Sequence, residues 1–202
     1  MSTTLDTSSS WFAPLAPMLA RVPLDPIPDA ETLQAALGER VAPFRFEPQT
    51  KKRARGTAFT LDDLYEARIA RRRVIPTRRN AHDFMNALVW ATFPKSKARL
   101  AERQYRALVA QVGEQPRRLP NARTRERDVL AMIDEGGVVM AGDARILFGH
   151  AVYEHLATSS APVRGFPIAL RFGLAMEEID AALAAWIETL DTDATRPEAF
   201  AL

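Results

Sequence analysis

Four polar residues, an Asn, a His, an Asp and a second Asn, stand in a stretch that otherwise has the pattern of a buried helix: residues 76–94, "PTRRNAHDFMNALVWATFP". On a helix at about 100° per residue, His82, Asp83 and Asn86 share one face, and large apolar side chains cover the other. Imidazole, carboxylate and amide groups in one place can transfer protons, orient water or bind a metal ion. The spacing therefore predicts a helix with a chemically active polar face.

Capping explains only part of this set. Asn80 with Asp83 three positions later is close to a capping box, which stabilises a helix start. The same first turn offers free backbone N–H groups to an anion, and Arg78 precedes it. Both interpretations of Asn80 and Asp83 stay open at this point. His82 and Asn86 are not explained by capping, and each must meet a polar group, a water molecule or a ligand.

A second candidate segment is "GHAVYEHL", which predicts a short helix. His150 and Glu154 are four positions apart, so they share one face of that helix. A His and a Glu at this spacing can bind one metal ion or one proton donor together. His150, like His82, begins a predicted helix after a loop and lies on a face away from the apolar side chains.

The helix after Pro94 carries an unusual stripe of cations, which we call the basic stripe: Lys95, Arg99, Arg103 and Arg106. Like charges at this spacing destabilise a helix, so a negative partner is expected. One alternative is a phosphate backbone. The other is an acidic stripe on the last predicted helix, formed by Glu177, Asp180, Glu188 and Asp191.

Patterning predicts an α+β fold in one mostly helical domain with a small sheet. Helices are expected at residues 30–40, from about 60, at 81–91, at 95–112 and in the segments "VLAMIDE", "GHAVYEHL" and "AMEEIDAALAAWIETL"; strands are expected in "APFRFEP", "GGVVMAGD", "RILF" and "VRGFPIALRF". We place a flexible Pro/Ser-rich arm at residues 1–22, the globular domain at 23–190 and a flexible acidic tail at 191–202.

Composition excludes several classes of protein. The 202 residues are 47% hydrophobic and 26% charged, as in ordinary globular chains, and they include no cysteine. Disulfides, thiol nucleophiles and cysteine-ligated metal centres are therefore excluded. Neither a signal-peptide pattern nor an apolar run of the roughly 20 residues that span a bilayer is visible. We expect a cytoplasmic protein without a membrane partner.

The motifs resemble a family of bacterial proteins known as domain of unknown function 3025. The resemblance runs over residues 44–170 and rests on "YEARI", "VIPTRRNAHDFMNALVWATFPKSKARL", "RDVLAMIDEGG" and "FGHAVYEHL". Members usually carry a longer insert where this chain has only "VVMAGDARIL". The family implies no established reaction. It does imply a set of motif positions, which are Thr77, Arg78, Asn80, His82, Asp83, Asn86, Trp90, Pro94, Lys97, Asp134, Gly149 and His150. From this resemblance we infer that the segments carrying His82 and His150 meet in space.

These patterns favour a metal-assisted hydrolase that acts on a phosphodiester or another anionic substrate. The catalytic candidates are His82, Asp83, Asn86 and His150; the substrate-binding candidates are Arg78, Asn80, Lys95 and Lys97; the candidate ligands of a divalent metal ion are His82, His150 and Glu154. The alternative is a non-catalytic nucleic-acid or ribosome-associated binding protein that uses the basic stripe. In a third interpretation, the polar cluster is purely architectural.

Overall fold

The computed structural model describes residues 5–49, 60–114, 116, 122–170, 175–195 and 198–202. Its helices are α1 (Ala16–Leu19), α2 (Ala30–Val41), α3 (Tyr65–Arg72), α4 (Ala81–Thr92), α5 (Pro94–Val112), α6 (Arg125–Gly136), α7 (His150–Thr158) and α8 (Met176–Thr189). Its strands are β1 (Arg45–Pro48), β2 (Val74–Thr77), β3 (Gly137–Ala141), β4 (Ala144–Leu147), β5 (Arg164–Leu170) and β6 (Phe200–Ala201). Short 3-10 turns cover Ser10–Leu15 and Leu61–Asp63. The predicted α+β class, mostly helical with small sheets, is confirmed.

Two small sheets flank the helices. Strands β1 and β2 form a parallel pair, and β2 leads directly into the turn before α4. The second sheet has the order β4-β3-β5-β6, with β3 and β5 parallel and the other neighbours antiparallel. The segment "VVMAGDARIL" forms the β3–β4 hairpin. Its turn contains Gly142 at φ +60°, a left-handed conformation that glycine adopts without strain.

Helix α4 lies at the centre of the hydrophobic core. Its side chains from position 83 to position 92 are all buried, and α2, α5 and α7 pack around it. The Asn80 side chain accepts a hydrogen bond from the backbone N–H of Asp83 at 2.8 Å, which is the expected N-cap. Phe93 ends α4, and Pro94 occupies the first turn of α5, where its missing N–H costs nothing. The polar face thus belongs to a helix, α4, that is buried along nearly its whole length and is held in place by its neighbours.

Side chains near both ends of the described chain pack on the core. Phe12 and Leu15 are buried in the core, so the described part of the expected arm, residues 5–22, packs on the domain. At the other end, Thr192 is buried and Phe200 lies in β6, paired with β5. Spaced apolar side chains in both segments bury surface, which the Pro and Ser content alone does not reveal.

The basic stripe on α5 packs against α8. The Asp180 carboxylate accepts from the backbone N–H groups of Lys95 and Ser96 at 3.0 and 2.8 Å and so caps α5. Arg103 donates to the carbonyl oxygens of Ile187 and Leu190 at the end of α8. Glu188 pairs with Arg106 at 2.9 Å and lies 3.6 Å from Arg99. Of the two partners considered for the stripe, the acidic helix is the one present in the fold.

No helix in the described residues is both long enough and apolar enough to cross a membrane.

Candidate functional site

A pocket of about 630 Å³ opens where α3, α4, α6 and the first residue of α7 meet. Its polar and charged lining residues include Tyr65, Arg78, His82, Asp83, Asn86, Arg123, Arg127, Asp134, Glu135 and His150. Five residues singled out from the sequence as catalytic or substrate-binding therefore share this one cavity: Arg78, His82, Asp83, Asn86 and His150.

A close contact between Gly149 and Gly136 brings α7 and the end of α6 together. Gly149 precedes α7 and lies against the end of α6, where a Cβ at Gly149 would come within 2.5 Å of the Glu135 carbonyl oxygen. The backbone N–H of Gly149 donates to the Gly137 carbonyl at 2.9 Å. Only a residue without a side chain permits this approach. His150, the next residue, is thereby placed beside Asp134 and faces α4.

The central contact of the site joins the two histidines. His82 Nε2 lies 3.2 Å from His150 Nε2, and the rings meet edge to face with centroids 4.7 Å apart. His82 comes from the first turn of α4 and its side chain is 37% exposed, whereas the His150 side chain is only 6% exposed. One imidazole is thus open to the pocket, and the other forms its buried wall.

The outer ring nitrogens fix the protons of this pair. His150 Nδ1 lies 2.8 Å from the backbone carbonyl of Asp134, which can only accept, so Nδ1 carries the hydrogen and Nε2 offers a lone pair. His82 Nδ1 lies 2.7 Å from Glu154 Oε2. The lone pair of His150 Nε2 therefore faces His82 Nε2, which is placed to donate a hydrogen bond to it.

The environment of His150 favours its neutral form. Burial is the main cause that lowers the pKa of His150 to about 4; Lys97 and His82 also lower it, while the Asp134 carboxylate opposes them. His150 is therefore neutral at physiological pH. The two histidines in contact therefore differ in environment: His150 is desolvated, whereas His82 is more exposed and has a carboxylate partner.

Behind His150 lies a buried ion pair between Lys97 and Asp134. The Lys97 ammonium contacts Asp134 Oδ1 and packs near the rings of Trp90 and Phe148, at 5.7 and 6.0 Å from their centroids. Burial by itself raises the pKa of Asp134, but Lys97 and His150 outweigh it and the net shift is downward. Lys97 does not line the pocket, so the prediction that it binds substrate is corrected: its charge is committed to Asp134.

Asp83 is bound to Arg78 and not to His82. Its two oxygens accept from the Arg78 backbone N–H at 2.6 Å and from the guanidinium at 2.9 Å, and this bond raises the pKa of Arg78. Glu154, and not Asp83, is the carboxylate that contacts the His82 ring. The Arg78 side chain remains 57% exposed at the pocket. Asn80 is occupied as the cap of α4 and is not among the residues that line the pocket.

Asn86 of α4 faces Tyr65, which lies in the first turn of α3. Its Nδ2 donates to the Tyr65 hydroxyl at 2.8 Å, while its Oδ1 is buried without a hydrogen-bond partner among the described residues. Burial, reinforced by the charge of Asp134, raises the pKa of Tyr65, so the phenol stays protonated. An open acceptor therefore stands beside a neutral hydroxyl at the pocket wall.

The donor set does not fit the predicted three-ligand metal centre. Among the described residues, no group of three or more His, Asp or Glu side chains could hold a metal ion. Glu154 contacts the Nδ1 side of His82, whereas the two Nε2 atoms face each other, so Glu154 cannot share an ion with them. Catalytic zinc sites typically have three protein ligands, and this site supplies two imidazoles.

Lys95 has an exposed side chain away from the pocket lining, which corrects its predicted contact with substrate.

Comparison with known families covers part of the site. Residues 54–147 match the model of a family described as protein of unknown function (DUF3025). This match supports the family predicted from the sequence. The match is narrower than the predicted range of 44–170, and it ends just before His150. No curated protein and no solved structure matches the chain.

Within the DUF3025 match, three pocket residues were missed by the sequence analysis: Tyr65, Arg123 and Arg127. Tyr65 belongs to an amphipathic helix in which a single tyrosine gives no signal of its own. Arg127 is held by Gln111 at 2.9 Å and lies 3.5 Å from Glu66, contacts between distant segments. Arg123 is exposed and has no ion-pair partner in the part of the chain that the structure describes.

Proposed function

We propose that this protein is a hydrolase for an anionic substrate such as a phosphodiester, with His82 and His150 as its acid–base pair. The observation that carries the proposal is the 3.2 Å contact at a pocket wall between the Nε2 atoms of one buried and one accessible imidazole. Paired groups whose surroundings push their protonation apart are the usual source of an acid and a base in one site.

In the proposed reaction, neutral His150 is the base and cationic His82 is the acid. His150 Nε2 takes a proton from water as the water oxygen bonds to phosphorus, and the phosphorus–oxygen bond to the leaving group breaks. The leaving oxygen receives the proton from His82 Nε2. The extra proton then passes from His150 Nε2 to His82 Nε2, which restores the starting pair. Substrate and water give two products, and the protein is unchanged.

Asp134 supports the base in this mechanism. Its backbone carbonyl holds the Nδ1–H of His150, which leaves Nε2 free to accept a proton. Glu154 holds the other ring, that of His82, through Nδ1.

Arginines supply the anion-binding part of the proposal. Arg78 uses its Nε and one terminal nitrogen for Asp83, so the other terminal nitrogen is available at the pocket. Arg123 adds a second guanidinium at the same cavity. Guanidinium groups bind phosphate oxygens through paired hydrogen bonds. Asn86, with its open Oδ1, is proposed to orient the attacking water or the substrate.

Nucleic-acid binding through the basic stripe is less well supported. Arg99, Arg103 and Arg106 contact α8, so the observation that motivated this alternative has an internal explanation. Strong, steeply salt-dependent binding of nucleic acid by the purified protein would favour this alternative over the hydrolase.

The test uses the chromogenic diester bis(p-nitrophenyl) phosphate and the monoester p-nitrophenyl phosphate with purified protein. Replacing His82 or His150 by alanine is expected to lower kcat at least 100-fold, because general acid–base groups contribute about 10²–10⁴ in rate. His155→Ala, in the same helix α7 but with its ring bound to the Ala161 carbonyl, is the matched control. The mechanism is wrong if both histidine variants retain full activity.

Metal analysis of the same samples tests the metal-assisted version of the reaction. The acid–base mechanism predicts activity that survives dialysis against EDTA. Activity that is lost with EDTA, returns with a divalent ion and disappears in both histidine variants would replace the acid–base pair by a metal site.

A further inference from the structure

We propose that Lys97 is a positioning residue for the histidine pair: by binding the Asp134 carboxylate, it stops that carboxylate from drawing a proton onto His150. The catalytic meaning of this inference rests on the proposed hydrolase. The contact itself and its test do not.

One oxygen atom of Asp134 lies between the Lys97 ammonium and the His150 ring. Oδ1 contacts the Lys97 ammonium, and the same Oδ1 is 3.7 Å from His150 Nδ1. The Nδ1–H points to the backbone carbonyl of Asp134 at 2.8 Å instead. The carboxylate charge is therefore paired with Lys97, and the His150 Nδ1–H is bound to an uncharged carbonyl group.

The position of Lys97 gives it no other role. Its side chain is 3% exposed and lies near the rings of Trp90 and Phe148, so it reaches neither solvent nor the pocket. Charges act strongly over short distances in such surroundings because little water screens them. Removing one partner of a buried pair leaves an uncompensated charge. Without Lys97, the nearest cation available to Asp134 is a protonated His150.

The titratable and charged groups around His150 come from five helices. They are Tyr65 from α3, His82 and Asp83 from α4, Lys97 from α5, Asp134 and Glu135 from α6, and Glu154 from α7. Glu154 and Asp83 are engaged by His82 and Arg78. Among the described residues, Asp134 is the acid with an oxygen within 4 Å of a His150 nitrogen. The charge state of His150 therefore depends on how fully Lys97 neutralises Asp134.

NMR titration of the histidine rings in the full chain tests the inference without any substrate. In the wild type, His150 is expected to stay neutral down to about pH 4. In Lys97→Met, we expect its titration to move up by at least one pH unit, because the freed carboxylate stabilises the imidazolium. Lys97→Arg, which restores the cation, is expected to return the titration towards the wild-type value. Lys95→Met, two positions earlier with an exposed side chain, is the control and should change nothing.

A double variant identifies the cause of the shift. Lys97→Met with Asp134→Asn retains the backbone carbonyl that binds His150 but lacks the carboxylate, so the titration should fall back to low pH. If Lys97→Met does not fold by circular dichroism, Lys97→Gln keeps a donor for Asp134 without the charge and is expected to show the same upward shift. An unchanged His150 titration in the folded variant, or a shift that persists in the double variant, overturns the inference.

Discussion

His82 and His150 touch through their Nε2 atoms at 3.2 Å although 68 positions separate them in the chain. Each ring is held from its other side by an oxygen acceptor, Glu154 for His82 and the Asp134 carbonyl for His150. The two Nε2 atoms are therefore kept next to each other at the pocket. A purely architectural role for the contact would bury both rings, yet His82 remains accessible.

Glu154→Gln tests whether the carboxylate that contacts His82 is needed for the reaction. The amide retains the size of the side chain but not its charge, so His82 loses its anionic partner. We expect kcat for the phosphodiester to fall at least tenfold, with a smaller change in KM, because the loss affects proton donation. Glu177→Gln, an exposed acid on α8, is the control. Full activity in Glu154→Gln would remove the acid role of His82.

The free energy of unfolding should depend on pH through His150. Burial lowers the pKa of His150 from 6.5 to about 4 in the folded state, so the unfolded chain binds the additional proton first. The stability that comes from keeping this ring neutral is fully present above pH 6.5 and is lost as the pH falls towards 4. The shift corresponds to roughly 2–3 kcal/mol. Urea denaturation at pH 7.5, 6 and 5 measures this loss, and His150→Asn should show a flatter dependence over the same window.

Asp180 should be important for stability because it caps α5 from another helix. Its carboxylate accepts from two backbone N–H groups and from the Ser96 hydroxyl, and its side chain is buried. Asp180→Ala is expected to reduce the free energy of unfolding by about 1–3 kcal/mol, since the donors at the start of α5 lose their partner. Arg106→Ala removes an exposed ion pair on the same interface and should cost less than about 1 kcal/mol. Equal losses in the two variants would contradict the capping role.

Gly149→Ala should disturb the site although it removes no polar group. The added Cβ would lie 2.5 Å from the Glu135 carbonyl oxygen, and backbone atoms cannot move aside as a flexible side chain can. We expect a loss of more than about 2 kcal/mol in stability, together with a changed His150 ring signal in NMR. Gly142→Asn, in the β3–β4 turn where asparagine tolerates a left-handed backbone, serves as the comparison. A folded Gly149→Ala protein with an unchanged His150 signal would show that the close approach does not position the ring.

Local sequence signals predicted much of the secondary structure and the location of the polar residues. The N-cap at Asn80, the break at Pro94 and the apolar periodicity of α4 are properties of neighbouring residues, so a helix of 81–91 could be predicted and was found at Ala81–Thr92. The polar face of that helix followed from the same spacing.

Only the tertiary structure decided which partners the polar residues take. Glu154 was grouped with His150 because they share a helix face, yet it binds His82, and Lys97 looked like a surface cation but is paired with Asp134. These choices depend on how α4, α5, α6 and α7 pack, and packing is determined by contacts between residues far apart in the chain. Charge and residue type can be read along a sequence, whereas distance, burial and the direction of a hydrogen bond arise only when distant segments meet.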